Sequence, residues 1–417
     1  MIGTNVLIWR SAPHTFFTVN PNFIEHTRAF GRTLACLAVA AVVWLPSVHF
    51  LFRPPPTEQP QLNGPISPWA RQLAARHLAL WTKPELKATE LDRMRRSNAE
   101  WDFMGRTFLA LSLCEMSMRE PASKAQWLPV VDAIIAETLR LERDHGCYFF
   151  LMPYAQARPF VQQPVRSLFL DSEIALMLAA RGLVAEQPEL RRELTNRVGH
   201  IVERIGRSPH RVAESYPDEC WTFDHVMALA ALRCTDALTG SDHAAFCHDW
   251  LAMAKRDLIH QPSGLLISSF TTETVPLDGP EGSTVWLAAH CLRLLDPAFA
   301  HDQFARAKRE LGRELCGFSW SREWPRSWRS PADIDSGAVI PGLDVSAGGS
   351  GLAFVAAASF GYEAMFRSLH TTLNFAAFPA RKDGQLRYCA SNQVGDAALL
   401  YAAVLGPLWD KVEGKLR

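Results

Sequence analysis

Residues 215–225 read SYPDECWTFDH. This segment sets Asp218, Glu219, Asp224 and His225 among the aromatic residues Tyr216, Trp221 and Phe223. It lies where a polar loop turns into an apolar helical run, VMALAALRCTDAL. Carboxyl groups among aromatic rings are the ingredients of an acid–base pocket for an apolar or sugar-like substrate. The same acids could do no more than cap a helix, because Asp is favoured at N-caps and in first turns.

Such a segment needs a scaffold, and the rest of the chain supplies helices. From residue 68 onward apolar residues recur at three- and four-residue spacing, as in WARQLAARHLALW and WLPVVDAIIAETLRL. The spacing predicts helices near 68–81, 98–118, 125–142, 166–183, 187–207, 221–239, 243–257, 282–295, 297–314, 347–361, 363–375 and 393–407. One short hairpin is expected around 265–277. No sustained strand–helix alternation argues for a parallel α/β fold. The connections alternate between short (EPASKA, EQP, TGSD, DP) and long. Helical hairpins joined this way suit an all-α (α/α)6 barrel, with even-numbered helices inside. The long loops then meet on one face, at the starts of the inner helices, where function concentrates.

That arrangement assigns further residues to one mouth. They are Asp102; Asp171 and Glu173; Asp218, Asp224 and His225; Glu281 and Ser283; Asp333, Asp335 and Asp344; and Asn392 and Asp396. Trp101, Trp221, Trp286, Trp320, Trp324 and Trp328 fall in step with them. Carboxyls crowded into a poorly solvated mouth cannot all ionise, so some should act as proton donors at neutral pH. Each acid could equally serve only its own helix start.

Composition narrows the classes. With 417 residues, 48% of them hydrophobic, the chain can bury a large core. Its formal charge is zero and it carries no basic stripe, so nucleic acid is not an expected partner. No CxxC pair, HExxH or EF-hand pattern suggests a metal, and AGGSG (347–351) lacks the Lys of a phosphate-binding loop. No cofactor is expected; the expected partner is a small-molecule substrate.

Residues 33–52, TLACLAVAAVVWLPSVHFLF, contain no Asp, Glu, Lys or Arg and just span a bilayer core. A signal peptide or a buried helix would look similar, but the segment before it is long and no small-x-small cleavage site follows. The expected organisation is a cytoplasmic segment over 1–32, a transmembrane helix over 33–52, a Pro-rich linker over 53–67 and a barrel over 68–417. Arg10, Arg28 and Arg32 precede the span and Arg53 follows it, which places the large domain outside the cytoplasm, at the inner membrane.

The chain also resembles the linalool dehydratase/isomerase family. The resemblance rests on PDECWTFDHVMALAAL, TGSDH, WLAMAKRDLIHQPSGLLISSF and STVWLAAHCLRLLDPAFA within 217–315. GGSGLAF, LRY, GDAALLYAAV and the early WDFMGRTF are further matches. It implies an (α/α)6 barrel and cofactor-free interconversion of terpene alcohols, with dehydration to a diene. It also implies ring-shaped homo-oligomers. On this resemblance Asp102 matches a pocket carboxylate of the family, and a nearby tyrosine falls on Phe108. A pocket histidine falls on Glu173, and two pocket cysteines fall on Ser215 and Asp224. The expectation is therefore a membrane-anchored lyase or isomerase acting on a hydroxylated, terpenoid-like small molecule. Asp102, Glu173 and Asp224 are the expected catalytic residues. Phe108, Asp171, Ser215, Tyr216, Asp218, Trp221, His225, Glu281, Trp324 and Asp335 are expected to bind substrate. Two alternatives stand beside it: a glycan-processing hydrolase or lyase with an acidic, Trp-rich mouth, and a non-catalytic ligand-binding envelope protein.

Overall fold

The computed structural model describes residues 21–59, 64–329 and 336–416. It divides at Leu51 into two compact units. In the first, helix α1 (Pro21–Ser47) runs into a turn of 3-10 helix, Val48–Leu51. Arg28–Leu51 has a mean hydropathy of 2.1 and none of its most apolar stretch is buried. That helix is long and apolar enough to cross a membrane.

The second unit begins at Phe52 and is mostly helical. Its helices of ten or more residues are α2 (Pro68–Thr82), α3 (Ala99–Arg119), α4 (Lys124–His145), α5 (Leu168–Val184), α6 (Pro188–Arg207) and α7 (Thr222–Thr239). They continue as α8 (Ala244–Asp257), α9 (Gly282–Leu292), α10 (Pro297–Glu310), α11 (Ala347–Ser359), α12 (Glu363–Ala376), α13 (Gln393–Val404) and α14 (Pro407–Leu416). Each of the twelve helices expected from residue 68 onward has a counterpart among α2–α13.

Two kinds of helix are visible in the residues themselves. In α5, LFLDSEIALMLAARGLV, almost every side chain is buried, as an all-round apolar sequence requires. In α6 the buried apolar residues are Leu194, Val198, Ile201 and Ile205, one stripe on an otherwise charged helix. The buried kind packs in sequence: α3 on α5, α5 on α7, α7 on α9, α9 on α11, α11 on α13, and α13 back on α3. The amphipathic kind lies outside, with α4 on α3, α6 on α5, α10 on α9 and α12 on α11.

Local chemistry sets the helix starts. Ser67, Asn98, Asp296, Ser346 and Asn392 each accept a hydrogen bond from a backbone N–H of the first turn. Pro68, Pro188 and Pro297 stand at first helical positions, where the missing N–H costs nothing.

Strands occupy the long connections. The expected hairpin is present as Ser269–Phe270 paired with Pro276–Asp278, and Cys220–Trp221 pairs onto it. Three strand features among the described residues escape the periodicity, one of them the pairing of Ile259–His260 with Leu265–Leu266. A hairpin of Gly312–Leu315 with Phe318–Ser321 extends through Val345–Ser346 to Val339–Ile340. Pro379–Lys382 pairs with Gln385–Tyr388. The helix expected over 297–314 stops at Glu310. There the chain folds tightly back, and a Cβ on Gly312 would lie 2.6 Å from the Lys308 carbonyl oxygen.

Candidate active site

The starts of α3, α5 and α7 bring a group of acids together with the loop before α7. Asn98 accepts from the Trp101 N–H at 2.8 Å, which places Glu100 in the first turn of α3. Glu173 stands on the second turn of α5 and accepts from the Thr107 hydroxyl of α3 at 2.5 Å. Its second carboxyl oxygen is buried without a hydrogen-bond partner. Asp224 lies in the first turn of α7. The Thr222 N–H, donating to Ser268 O at 2.8 Å, fixes that turn against the adjoining strand. Glu219 closes the tight turn before it, where the Glu219 carbonyl accepts from the Ser215 and Tyr216 N–H groups. Asp218 takes a left-handed φ of 50° within that turn.

Tyr216 stands among them. Its hydroxyl donates to Glu100 and accepts from the Met152 N–H at 2.8 Å. Its ring stacks on exposed Tyr154, with centroids 4.6 Å apart. The Trp221 indole N–H donates to Glu219 at 2.6 Å.

Desolvation raises Glu100, Glu173, Glu219 and Asp224. Burial lifts Asp224 to about 8, with Glu100 and Glu219 repelling its charge and the Ser215 hydroxyl opposing the shift. Burial holds Glu173 well above the ordinary carboxyl range; the Thr107 hydrogen bond opposes this, and Asp224 and Glu100 add to it. Glu100 is raised to about 7, again chiefly by burial, with the Tyr216 hydrogen bond lowering it and Glu219 raising it. Glu219 is raised by burial, against the Trp221 hydrogen bond and the pull of Arg158. The charges that press on Asp224 and Glu173 are thus other carboxyls. At neutral pH the group holds protons it can give and carboxyls that can take them.

A second acidic group adjoins the first at the start of α9. Burial raises Asp278, which accepts from the Trp324 indole at 3.2 Å and hydrogen-bonds with Glu281. Glu281 is the N-cap residue of α9, and its own N–H donates to Ser268 Oγ at 2.9 Å. Glu323 accepts from the Ser283 hydroxyl at 2.6 Å and from Ser346, tying the starts of α9 and α11 together.

Other expected residues serve the framework. Asp102 is bound by Arg106 at 3.1 Å, and Arg106 also reaches Glu137 at 3.1 Å. Its charged neighbours are Arg106, Arg95 and Glu137, so its expected place beside Glu173 and Asp224 is corrected to an ion pair on α3. Asp171 is corrected likewise, since Arg166 and Arg197 both bind it, the latter at 2.8 Å. Asp218 accepts from the Thr272 N–H and hydroxyl, which stitches two loops together. His225 is buried and lowered to about 4 by desolvation. Its Nε2 accepts from the Ala213 N–H at 3.0 Å and its Nδ1 donates to Trp221 O at 2.7 Å, so it is a neutral brace. Phe108 lies in the core against Tyr401. Asp396 accepts from the Tyr388 N–H, and Asp344 pairs with Arg322. Asp333 and Asp335 lie outside the described residues.

Sequence reasoning missed Glu100, Thr107, Asp278 and Glu323. Glu100 had a usable signal, an acid directly before the WDFMGRTF segment and behind an Asn cap. Thr107, Asp278 and Glu323 had none, because only the packing of distant segments gives them partners.

No family model matches the chain, and no curated protein matches it by sequence. Among solved structures it is similar to a GH76 alpha-mannanase of Bacteroides thetaiotaomicron, at 10% identity and a TM-score of 0.47. That match covers 75% of this chain and 87% of the other. It is also similar to a family 105 glycoside hydrolase of C. acetobutylicum, at 12% identity and a TM-score of 0.45. There 83% of this chain and 98% of the other are covered. The expected lyase or isomerase acting on a terpenoid alcohol is corrected on these findings: both structures are glycoside hydrolases, and neither name carries a substrate to this chain.

Proposed function

We propose that this chain is a glycan-processing hydrolase, built on a closed (α/α)6 barrel and anchored to a membrane by α1. The cyclic order of helix contacts from α3 round to α13 supports the barrel. The apolar stretch Arg28–Leu51 supports the anchor.

One observation carries the chemistry. Glu100, Glu173, Asp224 and Glu219 press on one another electrostatically in a setting of Tyr154, Tyr216 and Trp221. Hydrolysis of a glycosidic bond needs one carboxyl that keeps its proton and one that has lost it. Asp224, raised to about 8, is the donor. It gives its proton to the departing glycosidic oxygen as the bond to the anomeric carbon breaks. Glu100, raised only to about 7 and steadied by the Tyr216 hydroxyl, is the acceptor. It takes a proton from the water that adds to that carbon, so proton and bond counts balance. Burial, with the charges of Glu100 and Glu219, disfavours ionisation of Asp224 and keeps the proton on the donor. The stacked Tyr154–Tyr216 pair and the half-buried Trp221 offer flat apolar faces of the kind sugar rings pack against.

The test is release of new reducing ends from a panel of neutral and amino-sugar oligosaccharides by the full-length protein. Asp224→Asn and Glu100→Gln should each abolish release while ligand binding persists. Binding by the unaltered protein with no cleavage of any member would overturn the hydrolase reading in favour of a binding protein.

A further inference from the structure

Four apolar side chains gather on the outer surface of the second unit. Leu315 is 59% exposed, Phe375 49% and Phe378 66%. Phe318 joins them, its ring centroid 5.3 Å from that of Phe375. The hairpin carrying Leu315 and Phe318 is held on α12 by the Ser319 N–H, which donates to Thr372 Oγ1 at 2.9 Å. Phe378 has a φ of 51°, a left-handed conformation uncommon for a bulky side chain. Its carbonyl accepts from the Cys389 N–H, so the backbone is tied down while the ring stands in solvent.

The patch adjoins the first residue after the candidate span. Phe52 is bonded to Leu51, where Arg28–Leu51 ends. The Phe52 ring lies 5.0 Å from that of Phe375, and its carbonyl accepts from the Asn374 amide at 3.0 Å. Chain leaving a bilayer at Leu51 is therefore fastened at once to this apolar face. Exposed Arg53 follows Phe52 in the chain, and exposed Lys382 and Arg387 lie on the hairpin that follows Phe378. The acids of the same segments are Glu314, exposed next to Leu315, Asp383 at the hairpin turn, and Glu58, which Arg381 engages. Cations beside an apolar patch fit an anionic membrane surface.

We propose that the face formed by Leu315, Phe318, Phe375 and Phe378 rests on a phospholipid bilayer, at the point where the chain emerges from it. This rests on the reading of α1 as a membrane span. It is independent of the chemistry proposed for the acids. Phe378 lies in the connection from α12 to α13, at the end of the unit where the inner helices begin.

Natural cysteines supply the test. Cys36 lies within the candidate span, and Cys316 and Cys389 are exposed beside Leu315 and Phe378. The full-length protein is placed in vesicles of phosphatidylcholine and phosphatidylglycerol that carry nitroxide lipids. Variants keep one exposed cysteine each, the others changed to Ser, and a further one carries Asp242→Cys, at an exposed site in the α7–α8 turn. A fluorophore on each reports quenching. Cys316 and Cys389 should be quenched about threefold more than the Asp242→Cys site, with Cys36 quenched strongly by deep nitroxides. Strong quenching at Cys36 with none above the Asp242→Cys level at Cys316 and Cys389 overturns the docking face and leaves the span intact. No quenching at Cys36 overturns the span, and the docking face with it.

Discussion

Asp171 and Glu173 stand two residues apart on one helix, both buried, and have opposite fates. Asp171 meets Arg166 and Arg197. Glu173 meets a threonine hydroxyl and, beyond it, Asp224 and Glu100. The same contrast separates Asp102, paired with Arg106, from Glu100 one half-turn earlier, bonded to Tyr216. All four are carboxylic acids, and Asp171 and Glu173 are equally buried, so the acid group and its burial do not by themselves distinguish a strut from an acid. The partner does. A guanidinium neutralises a carboxylate in place, whereas other carboxyls and hydroxyls leave a proton to be traded.

The largest effect should come from the acids. Asp224→Asn or Glu100→Gln should lower glycan cleavage by about 10²–10⁴-fold, with melting temperature preserved or raised. An equal loss of activity from Asp224→Asn and from Asp171→Asn would erase the distinction. Next comes the framework. Asp171→Ala removes the buried carboxylate that Arg166 and Arg197 share, while Glu142 and Glu193 still hold Arg197, and about 1–3 kcal/mol of stability should be lost in denaturant titrations.

A third prediction concerns pH. Asp224 is raised in the fold from 3.8 to about 8, so the native state holds more protons than the unfolded chain between those values. The stability it contributes is complete below about pH 4 and is lost as pH rises toward 8, at up to about 1.4 kcal/mol per pH unit for one proton. Asp224→Asn should flatten that part of the stability curve. The smallest effect is Tyr216→Phe. It removes the hydrogen bond that lowers Glu100, so the acid limb of the cleavage profile should move above pH 7. An unmoved limb would take Glu100 out of the role of base.

Much of the helical frame was legible, for identifiable reasons. The α6 stripe Leu194, Val198, Ile201, Ile205 repeats at helical spacing, and Asn98, Asp296 and Ser346 announce helix starts as single residues. The strands at 312–321 and 379–388 were not, because short paired segments in a loop carry no long period and depend on a partner elsewhere. Within the site, Asp224 and Tyr216 announced themselves as acid and aromatic in one short segment. Glu100 was passed over for Asp102, two residues on, because both sit in the same first turn and the strings around them look alike.

The amino-acid order determined where helices begin, which of them are buried on every side, and that one apolar stretch near the N-terminus is long enough for a bilayer. Those properties are local, since each follows from neighbours within a turn or two. The tertiary structure alone decided which acids face arginine and which face other acids. That choice joins residues as far apart as Glu100 and Tyr216, or Glu219 and Asp278. A carboxyl's proton affinity is set by the dielectric and charges within a few ångströms, and no spacing along the chain encodes those neighbours.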